Sequence, residues 1–248
     1  MPSLHSQLLT ELKRHAGKGT KHTGNAGYLG NAHFSYHISN PVKRVLAREF
    51  LAVHKDLSFR EFVALLDALF AAPSHDEKSM AALLIGYARH HRARVTPAHV
   101  DAWLGHLIGW AEVDSLCQSN FTAEEMLLHW PAWRRMLVAF SRSKNISKRR
   151  ASLVLLTGPV AHSRDARFAT LAFENIARLQ GERDILITKA ISWLLRSMVK
   201  YHRGAVAAYV QANAAPRVGV GAAGTRALPA LPAIAVRETL RKIKTGRK

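Results

Sequence analysis

The stretch from Asp184 to Lys200 constrains the fold of this chain most strongly, because its apolar residues recur with the period of an α-helix. One side of that helix carries the apolar residues Ile187, Ile191, Leu194, Leu195 and Met198. The opposite side carries a tryptophan among cations, namely Lys189, Trp193, Arg196 and Lys200. Two interpretations of Trp193 remain open. It contacts a partner that is anionic and accepts aromatic stacking, as nucleic acid does, or it packs under a neighbouring helix while the lysines extend to solvent.

The charge balance of the chain indicates what kind of partner it binds. Its 36 Lys and Arg residues outnumber 17 Asp and Glu residues, which gives a net charge of +19 with neutral histidines. A charge of this size favours phosphate backbones as partners, with acidic membrane surfaces second. No apolar run approaches the roughly 20 residues that span a bilayer, and the first residues lack the apolar region of a signal peptide. The single cysteine, Cys117, excludes an internal disulfide and fits a reducing cytoplasm.

Helical signals follow one another along most of the chain. Ser58 with Glu61 and Thr122 with Glu125 form capping boxes, and Thr96 precedes a proline at a helix start. No run alternates convincingly with period two, so we expect no strands. The predicted helices cover residues 3–15, 41–54, 58–71, 76–91, 96–110, 130–141, 147–157, 163–179, 184–200 and 204–211.

The spacing of these helices predicts the architecture. They follow in pairs about every 40 residues, which is typical of HEAT-type repeats. We therefore expect an all-α fold, a right-handed α-solenoid of antiparallel helix pairs with a concave basic face. Because the pairs share little sequence, a globular helix bundle remains the alternative.

Composition divides the chain into three ranges. Residues 1–211 form the predicted α-solenoid domain. Residues 212–234 are rich in alanine, glycine and proline, which predicts a flexible linker. Residues 235–248 form a tail with six basic residues and one acidic residue, Glu238. This tail is either a short basic helix that adds phosphate contacts or a solubilising terminus.

A second concentration of basic residues lies at residues 142–150. If Ser147 caps a helix there, the cations Lys148, Arg149 and Arg150 lie in its first turn. The helix dipole places positive partial charge at that end, so each cation costs about 0.3 kcal/mol or more. A bound anion reverses this cost, because backbone N–H groups and basic side chains converge on it. The pattern favours phosphate binding over the alternative of a solvated charge run.

Trp110 and Asp114 are the residues that point to chemistry. Within a helix they are i, i+4 neighbours on one face. Phosphate repels a carboxylate, so DNA binding alone gives no reason for Asp114. Departure of a base from deoxyribose gives one, because it passes through an oxocarbenium-like transition state that a carboxylate and an indole face stabilise. From the spacing alone, a helix-capping aspartate and a core tryptophan are the favoured alternative.

Fourteen histidines raise the question of a metal site. The sequence contains neither an HExxH motif nor a Cys/His cluster with zinc spacing. The close pairs are His33 with His37 and His90 with His91. We expect hydrogen-bonded or solvated histidines at these positions, and we predict no metal and no small-molecule cofactor.

Four short segments occur in the order found in a known family. They are residues 81–87, 110–115, 149–151 and 187–196. In these segments the chain resembles the bacterial DNA alkylation repair enzymes of the AlkD type, which are HEAT-like-repeat DNA glycosylases. The resemblance covers roughly residues 25–212 and leaves out the linker and the tail.

This resemblance implies a function. The family excises cationic N3- and N7-alkylated purines from duplex DNA and leaves the lesion largely within the duplex, whereas most glycosylases flip the base into a pocket. No residue of the chain suggests a Schiff-base lysine, so we predict a monofunctional enzyme that leaves an abasic site. The expected partner is double-stranded DNA containing alkylated purines, bound by a monomer in the cytoplasm at the nucleoid.

The resemblance also implies roles for particular residues. Asp114 matches the family's catalytic aspartate, and Trp110 and Trp193 match the indoles that flank the deoxyribose. Arg150 matches an arginine that contacts DNA, and Tyr28 matches an aromatic residue near the lesion. The further candidate DNA contacts are the cations Lys148, Arg149, Lys189, Arg196 and Lys200.

The chain departs from the family within one motif. Ala111 and Glu112 stand where the family pattern has Asp and Ser. On a helix, Glu112 points to a different side than Asp114. We therefore expect activity to remain and the substrate range to differ.

Two other classes of function remain open. A noncatalytic HEAT-type module that binds duplex or branched nucleic acid explains the charge equally well, although it gains nothing from Asp114. A protein–protein scaffold explains the solenoid but not the charge. A steep salt dependence of DNA affinity would argue against the scaffold.

Overall fold

The computed structural model of the protein describes residues 2–17, 30, 33–118, 120–221 and 224–246. Helices make up most of these ranges, which confirms the all-α class. The chain divides into two compact units, residues 1–120 and 121–248, here called the N-terminal unit and the C-terminal unit. The right-handed solenoid and its concave basic face stay predictions.

The N-terminal unit contains seven helices within its described residues. They are α1 (Leu4–Arg14), α2 (Asn40–Val53), α3 (Phe59–Ala71), α4 (His75–Tyr87), α5 (Arg89–Arg92), α6 (Pro97–Leu104) and α7 (Gly109–Cys117). The predicted capping box of α3 is confirmed, because Glu61 N–H donates to Ser58 Oγ and Ser58 N–H donates to Glu61 Oε2.

The helix α4 is the centre of the N-terminal unit. It packs against α2, α3 and α7, and every residue from His75 to Ala82 is buried. A helix buried on all sides lacks the polar face of a surface helix. Its first turn therefore carries three buried polar side chains, His75, Asp76 and Glu77, which must find partners inside the protein.

Two predicted helices of this unit are wrong in extent. The helix predicted over 76–91 ends at Tyr87, and the short α5 follows it. The helix predicted over 96–110 ends at Leu104, and α7 begins at Gly109. Gly109 has a φ of 74°, in the left-handed region that interrupts a helix. Trp110 therefore belongs to the start of α7 and not to the end of α6.

The C-terminal unit contains helices and one pair of strands. Its described elements are α8 (Ala123–Leu128), α9 (Trp130–Phe140), α10 (Ile146–His162), α11 (Ala166–Leu179), α12 (Ile185–Asn213), β1 (Arg217–Gly221), β2 (Gly224–Leu228) and α13 (Ala233–Thr245). The capping box predicted at Thr122 and Glu125 is confirmed at the start of α8. None of the helices in the described residues is long and apolar enough to span a bilayer.

The starts of α10 and α12 differ in how well the sequence predicted them. Asn145 caps α10 by accepting the Ser147 N–H at 2.8 Å, so the prediction of Ser147 as the cap is wrong. Ser147 is already helical, and its own side chain is buried. Asp184 caps α12, and the apolar side predicted for that helix is fully buried. A kink at His202 separates the two predicted helical stretches of α12.

The range 212–234 contains regular structure that the sequence analysis did not predict. The strands β1 and β2 pair antiparallel, with Arg217 opposite Leu228 and Gly221 opposite Gly224. The expectation of no strands is therefore wrong in this segment. Val218 and Val220 alternate with glycines there, and the glycine content, which is typical of linkers, obscured that alternation.

The basic tail forms the helix α13, which packs on α12. The Glu238 carboxylate accepts the Ser192 hydroxyl and pairs with the Arg196 guanidinium at 3.4 Å. Ala235 and Thr239 are fully buried. Just before α13, Leu231 N–H donates to the Asn213 carbonyl at 2.9 Å. The tail is therefore helical, and the phosphate contacts predicted for it stay a prediction.

We expect Leu231→Ala to destabilise the protein far more than Leu240→Ala. Leu231 is 3% exposed whereas Leu240, on α13, is 47% exposed. Truncation of a buried leucine costs about 2–5 kcal/mol, because it leaves a cavity. Urea unfolding followed by circular dichroism measures both variants. Equal small losses would show that residues 229–245 do not pack on the rest of the C-terminal unit.

Candidate functional site

The helix α7 carries two of the predicted site residues on one side. Trp110 and Asp114 are both half-buried and one helical turn apart. Gly30 approaches the indole so closely that a Cβ there would lie 3.1 Å from Trp110 Cδ1. Gly30 also has a φ of 69°, which a side chain disfavours. The glycine thus lets the backbone lie directly against the Trp110 indole.

Glu112 lies between these two residues in sequence, and its side chain is buried. It is 2% exposed, and its carboxylate accepts hydrogen bonds from His33 Nδ1 at 2.9 Å and His75 Nδ1 at 3.2 Å. The Ile108 N–H donates to it at 3.0 Å. Burial alone would raise the pKa of Glu112, but the hydrogen bonds from His75, Ile108 and His33 lower that pKa below its ordinary value. Glu112 is therefore a carboxylate on which three parts of the N-terminal unit converge.

An extended segment, residues 33–36, connects this carboxylate to the first turn of α4. Successive side chains of an extended segment point to opposite faces. His33 and Ser35 accordingly contact Glu112 and Asp76, while the ring of Phe34 stands edge-on to that of Tyr36 at 4.9 Å. The His75 N–H donates to the Phe34 carbonyl at 2.8 Å.

Asp76 anchors the same segment through a buried ion pair. Its carboxylate accepts the Ser35 hydroxyl at 2.8 Å and the Tyr36 N–H at 2.7 Å. Lys43 Nζ donates to it at 3.1 Å, and both side chains of this pair are buried. Burial opposes the charge of Asp76, but Lys43, Ser35 and Tyr36 together lower its pKa below the ordinary value. Burial lowers the pKa of Lys43, and Asp76 opposes that change.

The cations at the start of α10 are largely committed to the protein. Arg149 Nε pairs with Glu182 Oε1 at 2.7 Å, and Arg149 Nη1 donates to the carbonyls of Ser143 and Lys144 at 2.9 Å each. Arg150 is 5% exposed and donates to the Leu186 carbonyl near the start of α12. These contacts explain how two cations are held at a helix start whose dipole disfavours them.

Lys148 is the third cation of this cluster. It is half-buried, and its Nζ lies 5.7 Å from the centre of the Phe140 ring. That distance is within the range of a cation–π contact. Lys148 is therefore held near α9 by an aromatic face, while Arg149 and Arg150 are held by oxygen acceptors.

The basic side of α12 contains both committed and exposed cations. Lys189 and Lys200 are exposed, and Trp193 is half-buried between them. Arg196 donates to the Ser192 carbonyl at 3.2 Å and pairs with Glu238 of α13. Lys200 Nζ lies 4.6 Å from the centre of the Tyr201 ring. The exposed lysines flank the tryptophan, as the helical periodicity predicted.

The structure brings some predicted site residues together and leaves others apart. Trp110 and Asp114 share one side of α7 in the N-terminal unit. Trp193, Arg150 and the other predicted cations belong to the C-terminal unit, so a common site with Asp114 stays a prediction. Tyr28 lies outside the described residues. The roles of all these residues stay predictions.

The partners of these side chains are not evident from the sequence. There Glu112 is only a departure from the family pattern, and His33 is only a member of a histidine pair. His33 is hydrogen-bonded, in agreement with the expectation for that pair. Helical spacing could indicate that Glu112 faces away from Asp114, but no local signal could pair it with His33 and His75, which lie far from it in sequence.

The described residues contain no group of three or more His, Cys, Asp or Glu side chains that could hold a metal ion. Of the adjacent histidines, His91 is buried and stacks on the Phe62 ring at 4.5 Å. Burial, together with the charges of His90 and Arg94, lowers the pKa of His91. His91 is therefore a neutral core side chain at physiological pH.

Comparison with known proteins identifies the class to which this all-helical chain belongs. A family model described as DNA alkylation repair enzyme matches residues 8–243. The chain belongs to this family, whose role is the repair of alkylation damage in DNA. The match extends beyond residues 25–212 and includes β1, β2 and most of α13, so the extent predicted for the resemblance was too short.

One solved structure extends this comparison. It is a predicted DNA alkylation repair enzyme from Enterococcus faecalis, 17% identical in sequence, with a TM-score of 0.69. The similarity covers 92% of this chain and 97% of that chain. At this identity the likeness supports the fold alone. No curated protein matches the sequence.

We expect Asp76→Asn to destabilise the protein strongly at pH 7 and by up to about 1 kcal/mol less at pH 3. Because the pKa of Asp76 is lowered by folding, its contribution to stability is present above the unfolded pKa of about 3.9 and is lost as the pH falls through the lower, folded pKa. At pH 7 the loss is about 3–5 kcal/mol, since Lys43 remains buried without its partner.

Urea unfolding at pH 7 and pH 3 measures this difference between wild type and variant. Asp56→Asn serves as the control, because Asp56 is exposed in the turn after α2. A difference for Asp76→Asn that stays constant between the two pH values would contradict the argument.

Proposed function

We propose that this protein is a monofunctional DNA glycosylase that hydrolyses the N-glycosidic bond of cationic N3- and N7-alkylated purines in duplex DNA. The product is an abasic site, the substrate of later steps in base excision repair. The family membership supports DNA repair of alkylation damage, and the geometry of α7 supports the hydrolytic chemistry. The enzyme needs no deep base-flipping pocket, no metal and no small-molecule cofactor for this reaction.

The chemistry follows from the charge of the damaged base. An N7- or N3-alkylated purine is already cationic, so it leaves without a general acid to protonate it. The glycosidic bond breaks with both electrons going to the base, which becomes neutral, and positive charge develops on the sugar. A water oxygen bonds to the anomeric carbon and the water releases one proton. In this proposal Asp114 stabilises the sugar cation and orients the water, and the Trp110 indole face stabilises the same charge.

One observation carries the assignment to Asp114. The helix α7 has two carboxylates. That of Glu112 is buried and accepts hydrogen bonds from His33, His75 and the Ile108 N–H. Asp114 is half-buried on the side that also carries Trp110. Of these two carboxylates, Asp114 is therefore the one that can approach a deoxyribose.

The C-terminal unit supplies the DNA-binding side chains in this proposal. Trp193 is the second indole at the sugar, and the exposed Lys189 and Lys200 contact phosphates beside it. Arg149 and Arg196 contribute less to phosphate binding in this proposal, because each already forms an ion pair with a glutamate. A monomer that acts in the cytoplasm at the nucleoid completes the proposal.

We expect Asp114→Asn to slow the release of N7-methylguanine from methylated duplex DNA by about 100-fold or more. The amide keeps the shape of the side chain but removes the negative charge that stabilises the sugar cation. Asp56→Asn, the same change at an exposed turn, leaves the rate unchanged. The released base is measured by chromatography under single-turnover conditions.

The outcomes of this assay separate the competing functions. Equal rates for wild type and Asp114→Asn would remove the role assigned to the carboxylate. Wild-type protein that binds duplex DNA but releases no base would instead support the noncatalytic binding module.

We expect Trp193→Ala to lower the rate of base release more than the affinity for undamaged duplex. The indole is proposed to act on the charged sugar, which undamaged DNA does not offer. Lys189→Ala, on the same side of α12, is the matched comparison. It should reduce the slope of log affinity against log salt by about 0.9 and leave the saturated rate unchanged. A loss confined to binding in Trp193→Ala would assign that residue to DNA binding alone.

A further inference from the structure

We propose that Glu112, His75 and His33 are positioning residues that fix the orientation of α7 and so hold Trp110 and Asp114 in place for base release. The inference rests on the proposed function for its catalytic consequence. It assigns a role to the position at which the chain departs from its family's pattern.

Several polar contacts at the start of α7 converge on one carboxylate. Glu112 Oε2 accepts the Ile108 N–H, which caps the start of the helix. Glu112 Oε1 accepts from His75 of α4 and from His33 of the extended segment. The Glu112 carboxylate therefore ties the start of α7 to the buried central helix and to the segment that follows Gly30. The buried apolar side chains Val113 and Leu116 hold this nine-residue helix against the N-terminal unit, and the carboxylate adds polar contacts at its first turns.

Helical geometry links this anchor to the candidate site. Residues two positions apart on an α-helix point about 200° apart around its axis. Trp110 precedes Glu112 by two positions, and Asp114 follows it by two. The side of α7 fixed by Glu112 is therefore roughly opposite the side that carries Trp110 and Asp114. A rotation of α7 that loosened the Glu112 contacts would move both side chains together.

The hydrogen bonds around His75 hold its ring between Glu112 and its own helix. The Ser79 hydroxyl has one hydrogen, and it donates that hydrogen to the His75 carbonyl at 2.8 Å. His75 Nε2 lies 3.2 Å from the same oxygen, and Nδ1 donates to Glu112. The His75 ring therefore links the Glu112 carboxylate to Ser79, one turn further along α4.

Other charged groups face this pair from the surrounding elements. Lys78, on α4, contributes positive potential at Glu112, although its ammonium donates to the Phe70 carbonyl at 2.6 Å. Glu77, also on α4, pairs with His5 of α1 at 2.7 Å. His33 approaches from the extended segment and is partly exposed. Lys78 is thus a buried cation whose charge acts on the Glu112 carboxylate.

The first test is Glu112→Gln, measured by hydrogen exchange and by base release. The amide replaces one acceptor oxygen with a donor, so it opposes at least one of the donating N–H groups. We expect faster amide exchange in residues 109–117, and a single-turnover release rate lowered by about 10–100-fold, since misplacement by an ångström has effects of this size. Affinity for undamaged duplex should stay unchanged.

Asp76→Asn is the matched control. Asp76 is also a buried carboxylate with three hydrogen bonds in the N-terminal unit, but its partners are Ser35, Tyr36 and Lys43. Its loss should speed exchange mainly in residues 33–37. Both variants are compared under conditions in which circular dichroism shows each to be folded. If the two variants lose base release equally, Glu112 acts only through stability and the proposal is overturned.

A second pair of variants tests the hydrogen bond from His75. An asparagine amide nitrogen occupies the same place along the side chain as the histidine Nδ1, so His75→Asn keeps a donor toward Glu112 and His75→Ala removes it. We expect His75→Asn to retain most of the release rate that His75→Ala loses. Equal rates in the two variants would contradict the positioning role.

The outcomes distinguish this inference from the proposed function. Unchanged exchange in α7 of Glu112→Gln would overturn the positioning role whatever the activity. Faster exchange in that helix, together with no base release by wild-type protein, would confirm the anchor and overturn the glycosylase function and its catalytic consequence. Faster exchange with an unchanged release rate would show that α7 need not be fixed for the chemistry.

Discussion

The buried carboxylate of Glu112 is the interaction on which the candidate site depends. A carboxylate in a protein interior is costly unless its oxygens accept hydrogen bonds. His33, His75 and the Ile108 N–H meet this requirement, and each belongs to a different part of the N-terminal unit. The hydrogen bonds that stabilise the buried Glu112 carboxylate therefore also hold the first turns of α7. Its other side is left for Trp110 and Asp114, which places the residues with a proposed chemical role on a rigid element.

The large positive charge of the chain has two uses, which follow from side-chain chemistry. The planar guanidinium of arginine suits several acceptors at once, whereas the lysine ammonium is a strongly hydrated point charge. Arg149 accordingly binds Glu182 and two backbone carbonyls, and Arg196 binds Glu238. Lys189 and Lys200 remain exposed beside Trp193. The net charge of +19 overstates the number of cations that phosphates can reach without competing against these internal contacts.

Periodicity and capping signals predicted the elements well, because both depend on nearby residues. The buried apolar side of α12 and the capping boxes at Ser58 and Thr122 are confirmed. The break before Gly109 and the strands after Asn213 were not predicted, since a left-handed glycine begins α7 and the glycines among residues 217–224 obscured the alternation of the strands. Local spacing likewise placed Trp110 beside Asp114, but the partners of Glu112 lie 79 and 37 positions away and only the folded chain reveals them.

The central claim is that this protein breaks the glycosidic bond of a cationic purine by hydrolysis alone. Counting the free N7-methylguanine and the abasic sites formed in one methylated duplex tests it most directly, in single turnover and with a chelator present. We expect equal numbers of both products, with the DNA strand left intact. The claim would be contradicted if the wild-type protein released no base, or if the number of strand breaks rose in step with the number of released bases.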